Sequence, residues 1–265
     1  MASPQLSAAI EAARAAAVII RKAYRGNFEV TIKSDATPVT EVDVAAERAI
    51  KQLLSERFPD YGFYGEETGK DQVDSEALWL VDPIDGTKAF VRGYPIFSVQ
   101  IALMRKGELV LGVSCAPCWN EGRGELIWAE RGYGTWRGLL ETPLDAFERL
   151  RVSGFDQLKQ TTLSTGNLAT LARSPQWAEL GRIIPQLQRI RGYGDFLHYH
   201  YLAGGTLDAV VESDVNILDI AALAVIVREA GGQFTDLNGR ELTLETRSVL
   251  ATNGRLHPLF AGLAL

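Results

Sequence analysis

The stretch that decides the fold reads Trp79-Leu80-Val81-Asp82-Pro83-Ile84-Asp85-Gly86-Thr87. The apolar run from Leu78 to Val81 predicts a short buried strand, and Pro83 predicts its end, because proline cannot donate to a strand ladder. Two aspartates, Asp82 and Asp85, thus leave the end of this strand together. The proline between them predicts a sharp turn that lets both carboxylates point into the same space.

The next two residues favour anion binding. Gly86 and Thr87 predict the start of a short helix, where free backbone amides and the positive end of the helix dipole suit a phosphate. Acidic oxygens beside a phosphate cradle indicate a divalent cation between them, and oxygen-only ligands favour Mg²⁺ over Zn²⁺. The same residue types are common in surface turns. The apolar strand that starts around Trp79 places this turn at the edge of a core, which favours the functional interpretation.

Four further acidic positions each have a structural interpretation that the residues alone leave open. Glu66 and Glu67 follow Gly65, and adjacent glutamates are commonly solvated surface charge. Asp43 stands three residues after Thr40 and predicts a capping box for a helix from about residue 40 to residue 57. Asp219 opens a predicted helix that ends at Gly231-Gly232, where an acid in the first turn also stabilises the helix itself.

Two other segments carry clear local signals. Residues 96–104 and 108–115 predict a hairpin that turns at Lys106-Gly107. Residues 206–212 predict a strand in the second half of the chain.

Taken together, three motifs resemble the inositol monophosphatase superfamily, in the family's order and over essentially the whole chain. They are Gly65-Glu66-Glu67, the stretch from Asp82 to Thr87, and Asp219-Ile220-Ala221-Ala222 running into Glu229-Ala230-Gly231-Gly232. Within the superfamily, Arg191-Gly192-Tyr193-Gly194-Asp195-Phe196 and Thr87-Lys88-Ala89-Phe90 are most similar to the bacterial histidinol-phosphate phosphatase branch. The resemblance implies a mixed α/β (α+β) chain with the layered αβαβα sugar-phosphatase fold. An antiparallel N-terminal sheet and a C-terminal α/β half are expected.

The resemblance also implies a set of metal ligands. Glu66, Asp82 and the backbone carbonyl of Ile84 are expected to bind one ion, and Asp82, Asp85 and Asp219 a second. Glu67 lies close enough to hold a third, weaker ion or its waters, so two or three Mg²⁺ ions per active site are expected.

The remaining implied roles concern water, phosphate and leaving group. The catalytic residues are expected to be Glu66, Thr87 and Asp43, with Thr87 orienting the attacking water through its hydrogen bond to Asp43. The substrate-binding residues are expected to be Gly86 and Thr87, through their amides, and Asp195 and Glu212 at the leaving group. Leu218 departs from the family, which usually has tryptophan before the last metal aspartate; that position packs the site.

These residues predict a Mg²⁺-dependent phosphomonoesterase, with histidinol phosphate as the expected substrate and metal-activated water as the nucleophile. The alternatives are an inositol-1-monophosphatase, a nucleotide 3′-phosphatase of the same superfamily, or a catalytically degenerate protein that binds a phosphometabolite without turnover. The complete acidic set argues against the last of these.

Composition restricts the partners and the compartment. The 265-residue chain has a formal net charge of −6 and no basic run, which argues against nucleic acid as a partner. Its longest apolar run, residues 15–20, is far shorter than the roughly 20 residues that span a membrane. Two cysteines and no recognisable signal peptide predict a cytoplasmic enzyme. A small phosphorylated metabolite is the expected partner, and the superfamily implies a homodimer.

The residue pattern loosens around residues 140–153. We therefore predict an N-terminal metal- and phosphate-binding subdomain over residues 1–145. A C-terminal α/β subdomain over residues 146–265 is expected to complete the metal and substrate site.

Overall fold

The computed structural model describes residues 3–33 and 38–263, with only the backbone described at residue 261. The helices are α1 (Pro4–Ala23), α2 (Glu41–Arg57), α3 (Thr87–Val91), α4 (Leu168–Leu171), α5 (Trp177–Ile183), α6 (Asp195–Ala203) and α7 (Ile217–Glu229). Single turns of 3₁₀ helix occur at Leu144–Ala146, Leu158–Gln160 and Ile184–Gln186, and a longer one at His257–Leu263. The strands are β1 (Val30–Ile32), β2 (Pro38–Thr40), β3 (Gly62–Gly65), β4 (Gly69–Asp71), β5 (Ala77–Asp85), β6 (Ser98–Arg105), β7 (Glu108–Ala116), β8 (Glu125–Glu130), β9 (Gly134–Leu139), β10 (Glu148–Leu150), β11 (Thr162–Thr165), β12 (Arg189–Arg191), β13 (Ala209–Ser213), β14 (Gln233–Thr235) and β15 (Ser248–Thr252).

An eight-stranded sheet forms most of the first half, in the order β10-β9-β8-β7-β6-β5-β3-β4. All neighbouring strands run antiparallel except β3 and β5, which are parallel. The predicted hairpin is confirmed as β6 and β7. Its turn residues Lys106 and Gly107 both have positive φ, at 50° and 82°. Such a turn joins antiparallel strands directly.

The predicted end of the central strand at Pro83 is wrong, because β5 continues to Asp85. The register between β5 and β6 shifts between Asp82 and Asp85, so Pro83 lies in an irregular part of the ladder. On the other side, β3 ends at Gly65, opposite Val81. Proline is tolerated at such a bulge, where the regular ladder does not need its missing N–H.

A five-stranded sheet forms the second half, in the order β12-β11-β13-β15-β14. Strand β11 pairs parallel with β12 and with β13, and β15 pairs antiparallel with β13 and with β14. The strand predicted at residues 206–212 is present as β13, which begins three residues later, at Ala209.

The sheets and helices stack in five layers. Alternating residues of β5 point to opposite faces of the large sheet: Trp79 and Val81 pack with α1 and α2, while Leu78 and Leu80 pack with α6 and α7. Helix α7 is buried on nearly every side, as expected for a helix between two sheets. A third apolar cluster joins the far face of the small sheet to α4, α5 and the C-terminal 3₁₀ helix. The layered αβαβα fold is therefore confirmed.

Helix α2 begins as its capping pattern predicts. The Thr40 side chain accepts from the backbone amides of Val42 and Asp43, and Asp43 in turn accepts from the Thr40 amide. The division at residue 145 stays a prediction, and the eight-stranded sheet itself extends to β10 at Leu150. None of the helices over residues 3–33 and 38–263 is long and apolar enough to cross a membrane.

Candidate metal and phosphate site

Acidic residues from both halves of the chain line one cavity of about 480 Å³. It lies where the end of β5, the start of α3, the β3–β4 turn and the starts of α6 and α7 meet. A larger cavity of about 730 Å³ lies beside Arg21 and Trp119, but Glu121 is the one acid in its lining. The acidic cavity is lined by Pro38, Glu66, Asp82, Ile84, Asp85, Gly86, Thr87, Lys88, Ala89, Arg92, Tyr94, Asn167, Asp195, Asp214, Asn216 and Asp219.

Three of the predicted metal ligands come together in this cavity. Carboxylate oxygens of Asp82, Asp85 and Asp219 all lie within 4.8 Å of one another. Burial, followed by the charges of Glu66, Asp219 and Asp85, raises the pKa of Asp82 well above its usual value. Burial and neighbouring acids likewise raise the pKa of Asp85, and that of Asp219 to about 7. One buried and two half-buried acids that repel one another this strongly are a favourable environment for a cation.

Asp219 is held in place by the start of its own helix. The Asn216 amide donates to Asp219 Oδ2 at 2.9 Å, and Asn216 Nδ2 donates to Oδ1 at 2.8 Å. The Asn216 side chain in turn accepts from the Leu218 amide at 2.7 Å, which completes a capping box. Helix α7 therefore delivers a rigid carboxylate from the second half of the chain to the aspartates of the first half.

The glutamates expected at the metal lie in the turn between β3 and β4. Glu66 lines the cavity, and its Oε1 accepts from Lys33 Nζ at 2.9 Å; Glu67 Oε1 accepts from the same nitrogen at 2.6 Å. Burial raises the pKa of Glu67, and the Lys33 hydrogen bond opposes that rise. Burial lowers the pKa of Lys33, but hydrogen bonds to Glu67 and Glu66 outweigh it and raise that pKa above its usual value. The Lys33 ammonium group thus contacts carboxylate oxygens of Glu66 and Glu67, the two glutamates that are predicted to bind metal.

Thr87 connects the cavity to the buried acid Asp43. Thr87 Oγ1 lies 3.0 Å from Asp43 Oδ1 and 3.0 Å from the Ile84 carbonyl oxygen. It has one proton, so it donates to one of them at a time. The other carboxylate oxygen of Asp43 accepts from the amide and the hydroxyl of Thr40. Burial raises the pKa of Asp43, while hydrogen bonds from Thr40 and Thr87 oppose the shift.

Gly86 is a backbone position that requires glycine. It precedes α3 with φ at 91°, a left-handed conformation that other residues rarely adopt. A Cβ atom there would lie 2.8 Å from the Ile96 carbonyl oxygen. Gly86 and the first two residues of α3, Thr87 and Lys88, line the cavity.

The two residues expected at the leaving group differ in exposure. Asp195 lines the cavity at the start of α6, with φ at 47°. Burial and the charge of Glu212 raise its pKa to about 6, against the influence of His198 and Lys88. Glu212 is 5% exposed and is not among the lining residues. Its Oε2 accepts from the Tyr199 hydroxyl at 2.7 Å and lies 3.1 Å from His198 Nε2.

The donor set fits Mg²⁺. All the clustered groups offer oxygen atoms, and the described residues of the cluster include no sulfur or imidazole ligand. Hydrogen-bonding groups contact two of the lining carboxylates: the Ile84 amide donates to Asp82 Oδ1 at 2.9 Å, and Ser98 Oγ lies 3.4 Å from Asp85 Oδ2. These contacts leave other carboxylate oxygens available to an ion.

Sequence reasoning missed several residues at the site, and three of them hold its side chains or backbone in place. Lys33 follows a short strand with no distinguishing pattern, so nothing in the sequence points to it. Glu47 lies one helical turn after Asp43 on the buried face of α2, and an acid on an otherwise apolar helix face is a usable signal. Asn216 stands three residues before Asp219, and that spacing is the capping-box pattern.

Comparisons with known proteins agree on one family. Residues 1–264 match the profile of the inositol monophosphatase family. A histidinol-phosphatase of Mycobacterium tuberculosis is 38% identical over 233 residues, covering 87% of this chain and 86% of the relative. An inositol-1-monophosphatase of Caulobacter vibrioides is 35% identical over 259 residues, covering 94% and 96%.

A solved structure has the same fold over nearly its whole length. The extragenic suppressor protein SuhB of Bartonella henselae superposes with a TM-score of 0.85 at 30% identity, covering 99% of this chain and 98% of that one. The agreement in fold, sequence and acidic motifs has one explanation. The chain belongs to the inositol monophosphatase family and is a hydrolase of phosphomonoesters.

Proposed function

We propose that this enzyme is a Mg²⁺-dependent histidinol-phosphate phosphatase, which converts L-histidinol phosphate and water to L-histidinol and phosphate. The observation that carries the choice of substrate is the carboxyl group of Asp195. It is a partly buried acid in the cavity that contains the clustered aspartates, and its pKa of about 6 leaves it largely ionised at neutral pH. The substrate's ammonium and imidazole groups would favour the ionised form further.

The metal ligands we propose are those expected from the resemblance. Glu66, Asp82 and the Ile84 carbonyl would hold one Mg²⁺ ion, and Asp82, Asp85 and Asp219 would hold a second. Glu67 would hold a third, weaker ion. When bound, such ions lower the pKa of a coordinated water and neutralise the charge on the phosphate oxygens.

Thr87 and Asp43 would prepare the nucleophile. When Thr87 Oγ1 donates to Asp43 Oδ1, its lone pairs are free to accept a hydrogen bond from the attacking water. This bond would orient the attacking water toward the phosphate group. A proton that leaves the water can pass to Thr87 Oγ1 while the Thr87 proton passes to Asp43.

The start of α3 would hold the phosphate. The amides of Gly86 and Thr87 belong to the first turn, where no preceding helical carbonyl satisfies them. Glu212 would act at the leaving group, and its contacts with Tyr199 and His198 hold its carboxylate in one orientation. Specificity follows because a substrate without a matching donor would leave buried acceptors unpaired.

The decisive experiment compares phosphate release from histidinol phosphate, inositol 1-phosphate and adenosine 3′,5′-bisphosphate in saturating Mg²⁺. We expect the highest kcat/KM for histidinol phosphate. A strong preference for either of the other two substrates would overturn the proposed specificity and leave the phosphomonoesterase activity standing.

A variant at Asp195 tests the cation-binding role. Asp195→Asn keeps the shape of the side chain and removes its charge. A hydrogen bond to a charged group is worth about 1.5–3 kcal/mol, so we expect KM for histidinol phosphate to rise by about 10- to 100-fold. The KM for inositol 1-phosphate, which carries no cation, is expected to stay nearly unchanged. Equal effects on both substrates would refute the role.

Inositol-1-monophosphatase activity is the second candidate. The relative from Caulobacter vibrioides that is named for this activity matches more of the chain than the histidinol-phosphatase does, 94% against 87%. The three-substrate comparison separates the two candidates directly.

We further propose that the enzyme is a cytoplasmic homodimer. Cys115 and Cys118 are both free thiols, which agrees with a reducing compartment. Sedimentation velocity on the purified protein tests the dimer: a single species of about 29 kDa across micromolar concentrations would refute it.

A further inference from the structure

Glu47 is a fully buried acid that none of the proposed catalytic steps uses. It lies on α2 one turn after Asp43, and its exposed fraction is 0%. The neighbouring buried positions on that helix are mostly apolar, including Ala46 and Ile50. An ionisable group in such a place is costly unless its oxygens are satisfied, so its contacts indicate its purpose.

Both oxygens of Glu47 bind the turn that contains the metal glutamates. Oε2 accepts from the Glu67 amide at 2.8 Å, and Oε1 accepts from the Thr68 amide at 2.6 Å. A Cβ atom on Gly65 would lie 2.4 Å from Oε1, so the carboxylate lies directly against the backbone just before Glu66. This close approach requires glycine at position 65, because any side chain there would collide with the Glu47 carboxylate.

The Glu66 backbone is thereby fixed from two sides. Its own amide donates to the Val81 carbonyl of β5 at 3.2 Å, and the two amides that follow it donate to Glu47. The first contact ties the turn to the strand that carries Asp82. The second ties it to the helix that carries Asp43. The direction of the Glu66 side chain depends on both.

We propose that Glu47 is a positioning residue for the first metal: it holds the β3–β4 turn so that Glu66 faces Asp82. Glu47 acts through the backbone, and its carboxylate binds neither metal nor substrate. Helix α2 therefore presents two acids on one face with separate tasks, since Asp43 contacts Thr87 and Glu47 fixes the turn. The inference rests on the proposed assignment of Glu66 and Asp82 as metal ligands.

The test measures metal binding directly, with Mn²⁺ as the probe and electron paramagnetic resonance of free Mn²⁺ as the readout. Glu47→Gln keeps the side-chain volume, but its NH₂ group faces a backbone N–H. Loss of an outer contact of this kind typically weakens metal binding 10- to 100-fold. We expect about 10-fold weaker Mn²⁺ binding, a matching rise in the Mg²⁺ concentration for half-maximal activity, and a kcat within about 2-fold of wild type at saturating Mg²⁺.

Two further variants control the measurement. Glu56→Gln makes the same chemical change at an exposed position of α2 and is expected to bind Mn²⁺ like wild type. Glu47→Asp keeps the charge and both acceptors on a shorter side chain and is expected to give intermediate affinity. It also carries the test if Glu47→Gln does not fold, which circular dichroism will reveal.

Asp82→Asn separates the two ways in which the inference can fail. If Asp82→Asn loses Mn²⁺ binding while Glu47→Gln and Glu47→Asp bind as tightly as wild type, the positioning role is overturned and the proposed function stands. If Asp82→Asn also binds Mn²⁺ like wild type, the proposed metal site itself is wrong. A fall in kcat at saturating Mg²⁺ with unchanged Mn²⁺ affinity would also overturn the positioning role.

Discussion

Replacing Asp82 with asparagine removes one negative charge from a buried cluster whose members repel one another. Asp82 is 2% exposed, and oxygens of Asp82, Asp85 and Asp219 lie within 4.8 Å of one another. Asparagine keeps the shape of the side chain, and its carbonyl oxygen can still accept from the Ile84 amide, which now donates at 2.9 Å. The perturbation is therefore almost purely electrostatic.

The size of the effect follows from these distances. Two unit charges 4.8 Å apart interact with about 3 kcal/mol at an effective dielectric constant of about 20. Partial protonation already relieves some of this repulsion, because the pKa values of all three acids are raised. We expect the metal-free variant to be about 1–3 kcal/mol more stable than metal-free wild type. For a chain of this size that is a rise in Tm of about 2–10 °C.

The stability difference between Asp82→Asn and wild type reverses when metal is added. At a Mg²⁺ concentration of 100 times Kd, binding stabilises wild type by about 2.7 kcal/mol, whereas Asp82→Asn gains little. Thermal melts in EDTA and in Mg²⁺ measure both effects. Phosphate release is expected to fall by about two orders of magnitude or more in the same variant. Asp74→Asn, at an exposed position, is the matched control and should melt like wild type in both buffers.

The stability difference also depends on pH. Asp82, Asp85 and Asp219 have folded-state pKa values above those of unfolded aspartate, so the folded protein binds more protons above about pH 4, for Asp219 up to about pH 7. Metal-free wild type should therefore lose stability as the pH rises through this window, and the advantage of Asp82→Asn should grow. A variant that melts below wild type in EDTA, or that keeps the full Mg²⁺ shift, would refute the reasoning.

Three other variants test separate parts of the structure. Thr87→Val removes the hydroxyl that contacts Asp43 and should lower kcat by about 10²–10⁴-fold at unchanged Tm. Thr87→Ser keeps the hydroxyl and should retain activity. Equal kcat in the two variants would contradict the role of the Thr87 hydroxyl in orienting water. Gly86→Ala places a Cβ 2.8 Å from the Ile96 oxygen at positive φ, and we expect a loss of about 1–2 kcal/mol in thermal melts together with a higher KM. His257 has a folded pKa of about 4, lowered by burial, so its own contribution to the stability of wild type should fall from about pH 6.5 down to about pH 4, by at most about 1.4 kcal/mol per pH unit. In denaturant titrations, the stability of wild type relative to His257→Gln should therefore fall over the same pH range, and a difference that does not change with pH would refute the assignment.

Local signals predicted those elements that depend on local chemistry. The capping pair Thr40 and Asp43 set the start of α2, and Lys106-Gly107 set the turn of the β6–β7 hairpin. In both cases the signal comes from residues close in sequence: a side-chain cap in the helix, and backbone at positive φ in the turn. The end of β5 was mispredicted because its pairing extends through a shift in register with β6, which is a property of two strands together.

The residues of the site also fall into those that a sequence motif predicts and those that only the fold brings together. Asp82 and Asp85 are close in sequence, and the motif places them together before any fold is known. Asp219 could be added through the family motif, and the structure brings it to the other two. The ligand roles themselves stay predictions.

Contacts made by distant residues were not visible in advance. Glu47 contacts the β3–β4 turn from a helix 20 residues upstream, and Lys33 contacts it from the residue just after β1. The enclosure of Glu212 by Tyr199 and His198 likewise depends on the packing of α6 against β13. Each of these depends on tertiary packing, for which no short sequence pattern exists.

The carboxylate of Asp43 serves two neighbours at once, with Oδ2 on Thr40 and Oδ1 on Thr87. A related protein that has lost catalytic activity would still need the contact between Thr40 and Asp43, because it caps the start of α2. The Thr87 hydroxyl caps no helix, so the fold depends on it less. We therefore expect Asp43 to outlast the activity during evolutionary decay and Thr87 to be lost early. For judging whether a related sequence is still an active phosphatase, the threonine is the more informative residue of the pair.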